Sequence, residues 1–265
     1  MSTKLARITE IAHQRPNERF TSLMHLIDAD MLRACHEELK ANKAAGVDGI
    51  TKAEYEKNLE ANVQNLLGRL KRKAYRPLPV RRVYIPKPGS AKMRPLGIPA
   101  YEDKIVQLAV SKILNAIYEA DFLDTSFGFR PGRGSHDALK LLNYLFITKK
   151  INFVVDADIK GFFDHVNHDW LMKFLGHRIA DPNLLRLIRR FLKAGIMENG
   201  ELREATEGTP QGGIISPVLA NVYLHYALDL WFAKVVRKHC RGEAYIVRYA
   251  DDCAPRRRRA IARSC

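Results

Sequence analysis

The alternation of apolar and polar positions predicts helices interleaved with short strands. Over residues 54–73, Tyr55, Leu59, Val63, Leu66 and Leu70 fall on one stripe at helical spacing. The basic end of this segment suits a helix C-terminus, where the peptide dipoles leave negative charge. Pro77 and Pro79 then break the pattern. Residues 80–85, VRRVYI, are β-prone, as is the run before Pro99, and Pro88-Gly89-Ser90 between them reads as a turn. A hairpin with a basic tip is expected there. Residues 102–120 return to helix, with Ile105, Ala109, Ile113 and Ile117 on one side, and residues 184–193 and 214–236 are also predicted helical. Residues 153–159, FVVDADI, read as a strand. Alternation sends Phe153, Val155, Ala157 and Ile159 to one face and Val154, Asp156 and Asp158 to the other. A second β-rich run, YIVRY at 245–249, ends at Ala250-Asp251-Asp252.

Charge changes this picture more than composition does. The 265 residues, 46% of them apolar, suffice for one large domain or two modest ones. No stretch approaches the roughly 20 apolar residues of a membrane span, and the N-terminal run lacks a secretory core. The four cysteines, Cys35, Cys240, Cys253 and Cys265, form no CxxC pair. A reducing, cytoplasmic setting without membrane contact is expected. Lys and Arg total 44 against 29 Asp and Glu, a net +15. Ten basic residues and no acidic one lie between Arg69 and Arg94, interleaved with Tyr75, Tyr84 and prolines. Such a stripe suits a polyphosphate backbone, with a solvated basic face or acidic lipid as alternatives. No Gly-rich loop of the P-loop or dinucleotide type is present, which argues against nucleotide binding of those kinds. Trp170 and Trp231 are read as core. His165-Val166-Asn167-His168 has HxxH spacing but is read as a loop rather than a zinc site.

The acidic residues at strand ends are the candidate chemistry. Two-metal phosphoryl transfer needs carboxylates from separate strands converging on one point. Adjacent aspartates at a hairpin tip, Asp251 and Asp252, together with Asp158 on a strand, satisfy that need. Two like charges on a turn are costly unless a cation neutralises them. An ordinary acidic turn is the alternative.

Here the sequence resembles a known family. YADD at 249–252 resembles the reverse-transcriptase signature, and DADIKGFFD at 156–164 resembles the first catalytic-aspartate motif. GTPQGGIISPVLAN at 208–221 resembles the following motif, which supports nucleotide and template. RPLGIP at 94–99 and FGFRPGRGSHDAL at 127–139 resemble the finger motifs, and AAGVDGIT at 44–51 the N-terminal extension. Order and spacing fit over roughly residues 20–252, and the set resembles group II intron-encoded reverse transcriptase/maturase.

The resemblance implies an α+β fold with right-hand polymerase fingers and a partial palm, with an antiparallel palm sheet packed on helices; the thumb that the family carries further on is expected to be absent from this sequence. It divides the chain into an N-terminal extension and start of the fingers at 1–75, fingers at 76–150, an incomplete palm at 151–252 and an Arg-rich tail at 253–265. It makes Asp158, Asp251 and Asp252 the catalytic carboxylates. With the Ile159 carbonyl they would hold two Mg²⁺, for which Mn²⁺ could substitute. It assigns Lys87 and Arg94 to the triphosphate, Phe163 to exclusion of a 2′-hydroxyl, and Gln211 to the incoming nucleotide. Arg81, Arg82, Arg130 and Arg133 would touch nucleic acid. Asp156 and Asp164 are read as structural or exposed carboxylates. The implied partners are dNTPs, RNA template and intron RNA, and a DNA primer or target.

After Asp252 the sequence departs from the family. Pro255 cannot donate to a ladder, and Arg256 to Arg259 cannot bury a strand face. The expectation is that the hairpin's second arm is absent or badly formed, in a truncated or frameshifted product with weak or no polymerase activity. A non-catalytic intron-RNA-binding fragment and a retron-type or other bacterial reverse transcriptase are the competing readings.

Overall fold

The computed structural model describes residues 3–86, 93–209 and 211–257, with 254–257 described by backbone alone. Lys87 and the Pro88-Gly89-Ser90 turn lie outside the described residues. The helices are α1 (Thr3–Gln14), α2 (Ala29–Glu38), α3 (Lys52–Glu56), α4 (Leu59–Lys71), α5 (Tyr101–Tyr118), α6 (Ser135–Thr148), α7 (His168–Leu175), α8 (Pro182–Leu192) and α9 (Ser216–Leu224). The strands are β1 (Val80–Pro86), β2 (Met93–Ile98), β3 (Phe153–Val154), β4 (Ala157–Asp158), β5 (Ile196–Glu198), β6 (Glu201–Arg203), β7 (Ala244–Tyr249) and β8 (Asp252–Arg257). Two compact units interleave along the chain. The first comprises Met1–Ala120 and Phe163–Ser216, and the second Asp121–Phe162 and Pro217–Cys265.

In the first unit α5 is the central element. The expected stripe of Ile105, Ala109, Ile113 and Ile117 is completely buried, and most other α5 residues are buried too. A helix apolar on nearly all sides must be covered on all sides, and α1 and α2 pack against it. Each fully buried Ile or Leu contributes roughly 1.5–3 kcal/mol. Within this core, Asp103 accepts from the Tyr75 hydroxyl and from the Leu78 amide at 2.9 Å. Burial pushes its carboxyl up to about 7. The stripe over 54–73 is broken into α3 and α4, and a Thr51–Glu54 capping box starts the first piece. Tyr55, Val63, Leu66 and Leu70 are buried, whereas Leu59 is only partly covered. β1 and β2 form the expected antiparallel hairpin, from Arg81 opposite Ile98 to Pro86 opposite Met93. β5 lies parallel to β1, and β6 closes the sheet in the order β2-β1-β5-β6.

The second unit is built on a sheet with β8 at its centre. β7 pairs with one edge of β8, and β3 and β4 pair with the other. α6 covers part of one face, where Phe127, Ala138 and Leu145 pack with Val247. On the opposite face Phe232, Ala244, Ile246 and Cys253 cluster with Ala157 and Leu228. The helix predicted over 214–236 begins as α9 and continues through two π-helical segments, His225–Asp229 and Phe232–Val236. No described helix is long and apolar enough to cross a membrane.

Three expectations are corrected. Asp252–Arg257 forms a strand, so the hairpin has its second arm. A residue in a central strand offers its amide to only one neighbour, so Pro255 removes one ladder bond rather than ending the strand. The pairing with β7 runs through Pro255, opposite Ile246. On the other side the ladder lapses between β3 and β4, at Val155 and Asp156, which the shared register sets opposite Pro255 and Ala254. FVVDADI is accordingly two short strands, and Phe153, Val154 and Val155 are 45%, 50% and 53% exposed. Trp170 and Trp231 are not core; they are 52% and 51% exposed. Trp170 instead lies beside Phe174 and under the Lys173 ammonium, 4.4 Å from its ring centre, an amphipathic ring kept at the surface by polar company.

Candidate active site

The three expected carboxylates all belong to the second unit, on adjoining strands. β7 and β8 are joined through Ala250 and Asp251, with Tyr249 opposite Asp252. Ala250 takes φ of 57°, the left-handed region that turns a chain back in two residues but costs a non-glycine about 1 kcal/mol or more. On the other edge of β8, Asp252 stands directly opposite Asp158. Direct partners in an antiparallel pair project from the same face, so these two like charges are neighbours. Asp156, two residues before Asp158, shares that face by alternation.

The electrostatics record this crowding. Burial raises the Asp252 carboxyl above its ordinary range, and Asp251, Asp158 and Asp156 raise it further. Among the described residues no Lys or Arg forms an ion pair with Asp158, Asp251 or Asp252. Such a cluster is costly by itself and is relieved by a cation. Carboxylate oxygens are the donors that a hard divalent ion prefers, so the residue types fit Mg²⁺. Among the described residues, however, no three His, Cys, Asp or Glu side chains converge closely enough to hold a metal ion. The carboxylates are assembled by register and remain spread as side chains. The Ile159 carbonyl accepts from the Phe162 amide at 3.1 Å, which leaves one of its two lone pairs.

What holds the turn is a buried ionic network that the sequence reading missed. Arg248, on β7, is completely buried. Its Nε and Nη2 donate to the two carboxylate oxygens of Asp229 at 2.8 and 2.7 Å. Nη1 donates to Asn221 Oδ1 at 3.1 Å and to the carbonyl of Ala250 at 2.8 Å, and Nη2 reaches Ser126 Oγ at 2.7 Å. A fork–fork pair of this kind fixes geometry as well as charge. One arm of it grips the turn itself. The backbone of Thr125–Phe127 pairs with Arg248, and Asn221 Nδ2 donates to the Gly128 carbonyl at 2.8 Å. A Cβ at Gly128 would sit 2.2 Å from the Ala250 nitrogen, so this loop can pass the turn only as glycine. The FGFR and LAN segments thus brace YADD. The missed signal was a charged residue inside an apolar strand, with an acidic partner inside an apolar helix.

The other expected residues of this unit serve as fold contacts. Arg130 is buried and donates to the carbonyls of Leu123 and Ser126, both at 2.8 Å, with its guanidinium 5.2 Å from the Phe122 ring centre. Arg133 donates to Asp124 Oδ1 at 2.6 Å and lies 5.8 Å from the Phe127 ring centre.

Arg94, Phe163 and Gln211 belong to the first unit, where one chain of backbone contacts links them. The Phe163 carbonyl accepts from the Thr209 amide at 2.7 Å, and the Gln211 carbonyl from the Gly97 amide at 2.6 Å on β2. Gly212, at φ 106°, passes so close to Gly97 that a Cβ would lie 2.8 Å from its carbonyl oxygen. Gln107, on α5, accepts from the Ile214 amide at 2.8 Å and steadies the loop. Arg94 is exposed on β2, opposite Ile85, and Phe163 and Gln211 are half-buried. Arg81 donates twice to the Ala45 carbonyl, at 3.1 and 2.6 Å, while Arg82 is half-buried opposite Gly97. Lys87 lies outside the described residues. The HxxH pair is split: His165 faces Glu207 at 3.3 Å, while buried His168 contacts the Gly208 carbonyl at 2.6 Å.

Residues 85–254 match the family described as reverse transcriptase (RNA-dependent DNA polymerase). Group II intron-encoded protein LtrA of Lactococcus lactis subsp. cremoris is 42% identical over 222 residues, 83% of this chain and 37% of that protein. Protein YkfC of Escherichia coli (strain K12) is 39% identical over 218 residues, 79% of this chain and 57% of its own length. The chain thus spans less than two thirds of either relative. A solved chain from a partial Cas6-RT-Cas1--Cas2 complex shares the fold at TM-score 0.51 and 23% identity, over 88% of this chain and 37% of that one.

Proposed function

The chain belongs to the reverse transcriptase (RNA-dependent DNA polymerase) family, and on that premise we propose that Asp158, Asp251 and Asp252 serve metal-dependent transfer of a deoxynucleotide to a primer 3′-hydroxyl on an RNA template. The observation that carries this reading is the register of β4, β8 and the β7–β8 turn. It brings carboxylates from two backbone segments to one part of the sheet, Asp158 from β4 and Asp251-Asp252 from the turn into β8, with no counter-charge among the described residues. We assign them, with the free lone pair of the Ile159 carbonyl, to two Mg²⁺ ions, which Mn²⁺ would replace. When bound, such ions neutralise charge on the transferring phosphate and activate the attacking hydroxyl.

The chain's own residues do the rest. Asp158 and Asp252 present oxygens from opposite strands, and Arg248 keeps the turn bearing Asp251 from relaxing away. Arg94 and Lys87 supply permanent positive charge to a triphosphate. Phe163 sets a ring where a 2′-hydroxyl would clash, which selects deoxynucleotides by exclusion. Gln211 faces the incoming nucleotide. The substrates on this reading are dNTPs, an RNA template of group II intron origin and a DNA primer. Fingers at 76–150 and an incomplete palm at 151–252 are the corresponding divisions.

Primer extension tests the reading. With the purified chain, an RNA template with annealed DNA primer, dNTPs and Mg²⁺, weak extension at most is expected. Asp158→Asn or Asp252→Asn should lower it at least about a hundredfold without loss of RNA binding. Undiminished extension in both variants would contradict the assignment. RNA binding with no extension by any form would instead favour the non-catalytic binding fragment.

A further inference from the structure

The first unit brings together two stretches that carry no acidic residue. One is the run from Arg69 to Arg94, and the other runs from Pro182 to Met197 with Arg186, Arg189, Arg190 and Lys193. Where the end of α4 meets α8 they line a cleft of about 80 Å³, whose polar walls are Lys71, Lys73, Asn183, Arg186 and Arg190.

The geometry at the mouth of this cleft is unusual. Arg190 Nη1 donates to the carbonyls of Lys73 at 3.0 Å and Tyr75 at 2.7 Å. Arg76 Nη1 donates to the same two carbonyls, both at 3.2 Å. Two guanidinium nitrogens on one pair of oxygens must stand close to each other. Lys73 takes φ of 59° in this loop, and the shared donors show that its carbonyl and that of Tyr75 converge. Burial and the charges of Arg76 and Arg186 hold the Arg190 guanidinium below its ordinary proton affinity. The flanking cations have partners: Arg69 pairs with Glu102, and Arg189 lies 3.5 Å from Asp169. Among the described residues, Lys71, Lys73, Arg76, Arg186 and Arg190 pair with no carboxylate.

We propose that this cleft binds phosphates of an RNA backbone, with Arg76 and Arg190 as paired forks and Lys71, Lys73 and Arg186 around them. Each guanidinium uses Nη1 on the two shared carbonyls and keeps its Nε and Nη2 donors, a fork that matches two oxygens of a phosphodiester. An anion between them turns their repulsion into attraction. The proposal rests on the nucleic-acid reading above and adds a site outside the residues assigned to it.

Fluorescence anisotropy of a labelled RNA hairpin, measured over a range of salt, tests it with the full chain. Arg76→Gln/Arg190→Gln is the direct variant. Lys71→Gln/Arg186→Gln removes the same charge from exposed side chains with no described fold contact, and decides the matter if the first variant misfolds. Lys234→Gln/Lys238→Gln, exposed in the second unit, is the charge-matched control. Each cleft variant should bind about tenfold more weakly than wild type at moderate salt, with a salt slope shallower by about 2, as for two lost phosphate contacts. The control should leave the slope unchanged. Cleft variants that match the control would overturn the proposal while leaving the polymerase reading standing. Absence of RNA binding by wild type would remove both. Displacement of RNA by a dNTP or inorganic phosphate, beyond the effect of chloride at equal ionic strength, would overturn the backbone assignment in favour of a free phosphate ligand.

Discussion

Asp251 and Asp252 on one side, and Asp158 on the other, reach the same sheet by contrasting means. The β7–β8 turn is clamped by a wholly buried guanidinium with five described acceptor contacts, and a glycine-only loop passes against it. Asp158 sits at the end of a two-residue strand whose ladder has already lapsed at Val155 and Asp156. Its described tethers are the pairing with β8 and the contact of Cys253 Sγ with the Ala157 carbonyl at 3.4 Å. One wall of the cluster is therefore clamped before any ligand arrives, and the other is held by its short pairing with β8 and by the packing of Ala157. A site that must gather like charges gains from a rigid wall, because each carboxylate held in place lowers the cost of assembling the rest.

The largest way to break this contrast is at Arg248. Arg248→Met leaves Asp229 buried without its partner, which should cost about 3–5 kcal/mol in urea unfolding. Adding Asp229→Leu should recover much of that stability but not primer extension, because the hold on the Ala250 carbonyl stays lost. Next comes Gly128→Ala, which drives a Cβ into the turn and should destabilise by about 3 kcal/mol. Extension should fall further than stability explains. The smallest effect sharpens the other side. Pro255→Val restores an amide opposite the gap and should add about 1 kcal/mol. Slower amide exchange at Val155 would register it.

Much of the fold was legible because periodicity reports burial. The stripe through Ile105, Ala109, Ile113 and Ile117 is the core of α5, and the hairpin of β1 and β2 followed from β-prone runs around a turn. The carboxylates were legible because motif order put them at strand ends. The network behind them was not. A pattern reading places arginine at the surface, whereas Arg248 is interior, and the π-helical turn at His225–Asp229 shifts Asp229 off the 3.6-residue period. Hydrophobicity alone misplaced Trp170 and Trp231, whose rings carry a polar edge. The proline rule misjudged β8 because it counts a lost donor without asking which neighbour loses it.

The central claim is that Asp158, Asp251 and Asp252 form one divalent-ion site, and thermal unfolding of wild type and Asp252→Asn, with chelator and with added Mg²⁺ or Mn²⁺, tests it most directly. Burial and its acidic neighbours hold the Asp252 carboxyl above the ordinary 3.8, so the folded, metal-free chain binds that proton more tightly than the unfolded chain does. Stability from this group is present at acid pH and is lost as pH rises through the carboxylate range. In chelator, therefore, Asp252→Asn should unfold at a higher temperature than wild type at neutral pH, and the difference should vanish in acid. Divalent ion should then stabilise wild type and leave Asp252→Asn almost unmoved. Equal stabilisation of both by the ion would contradict the account.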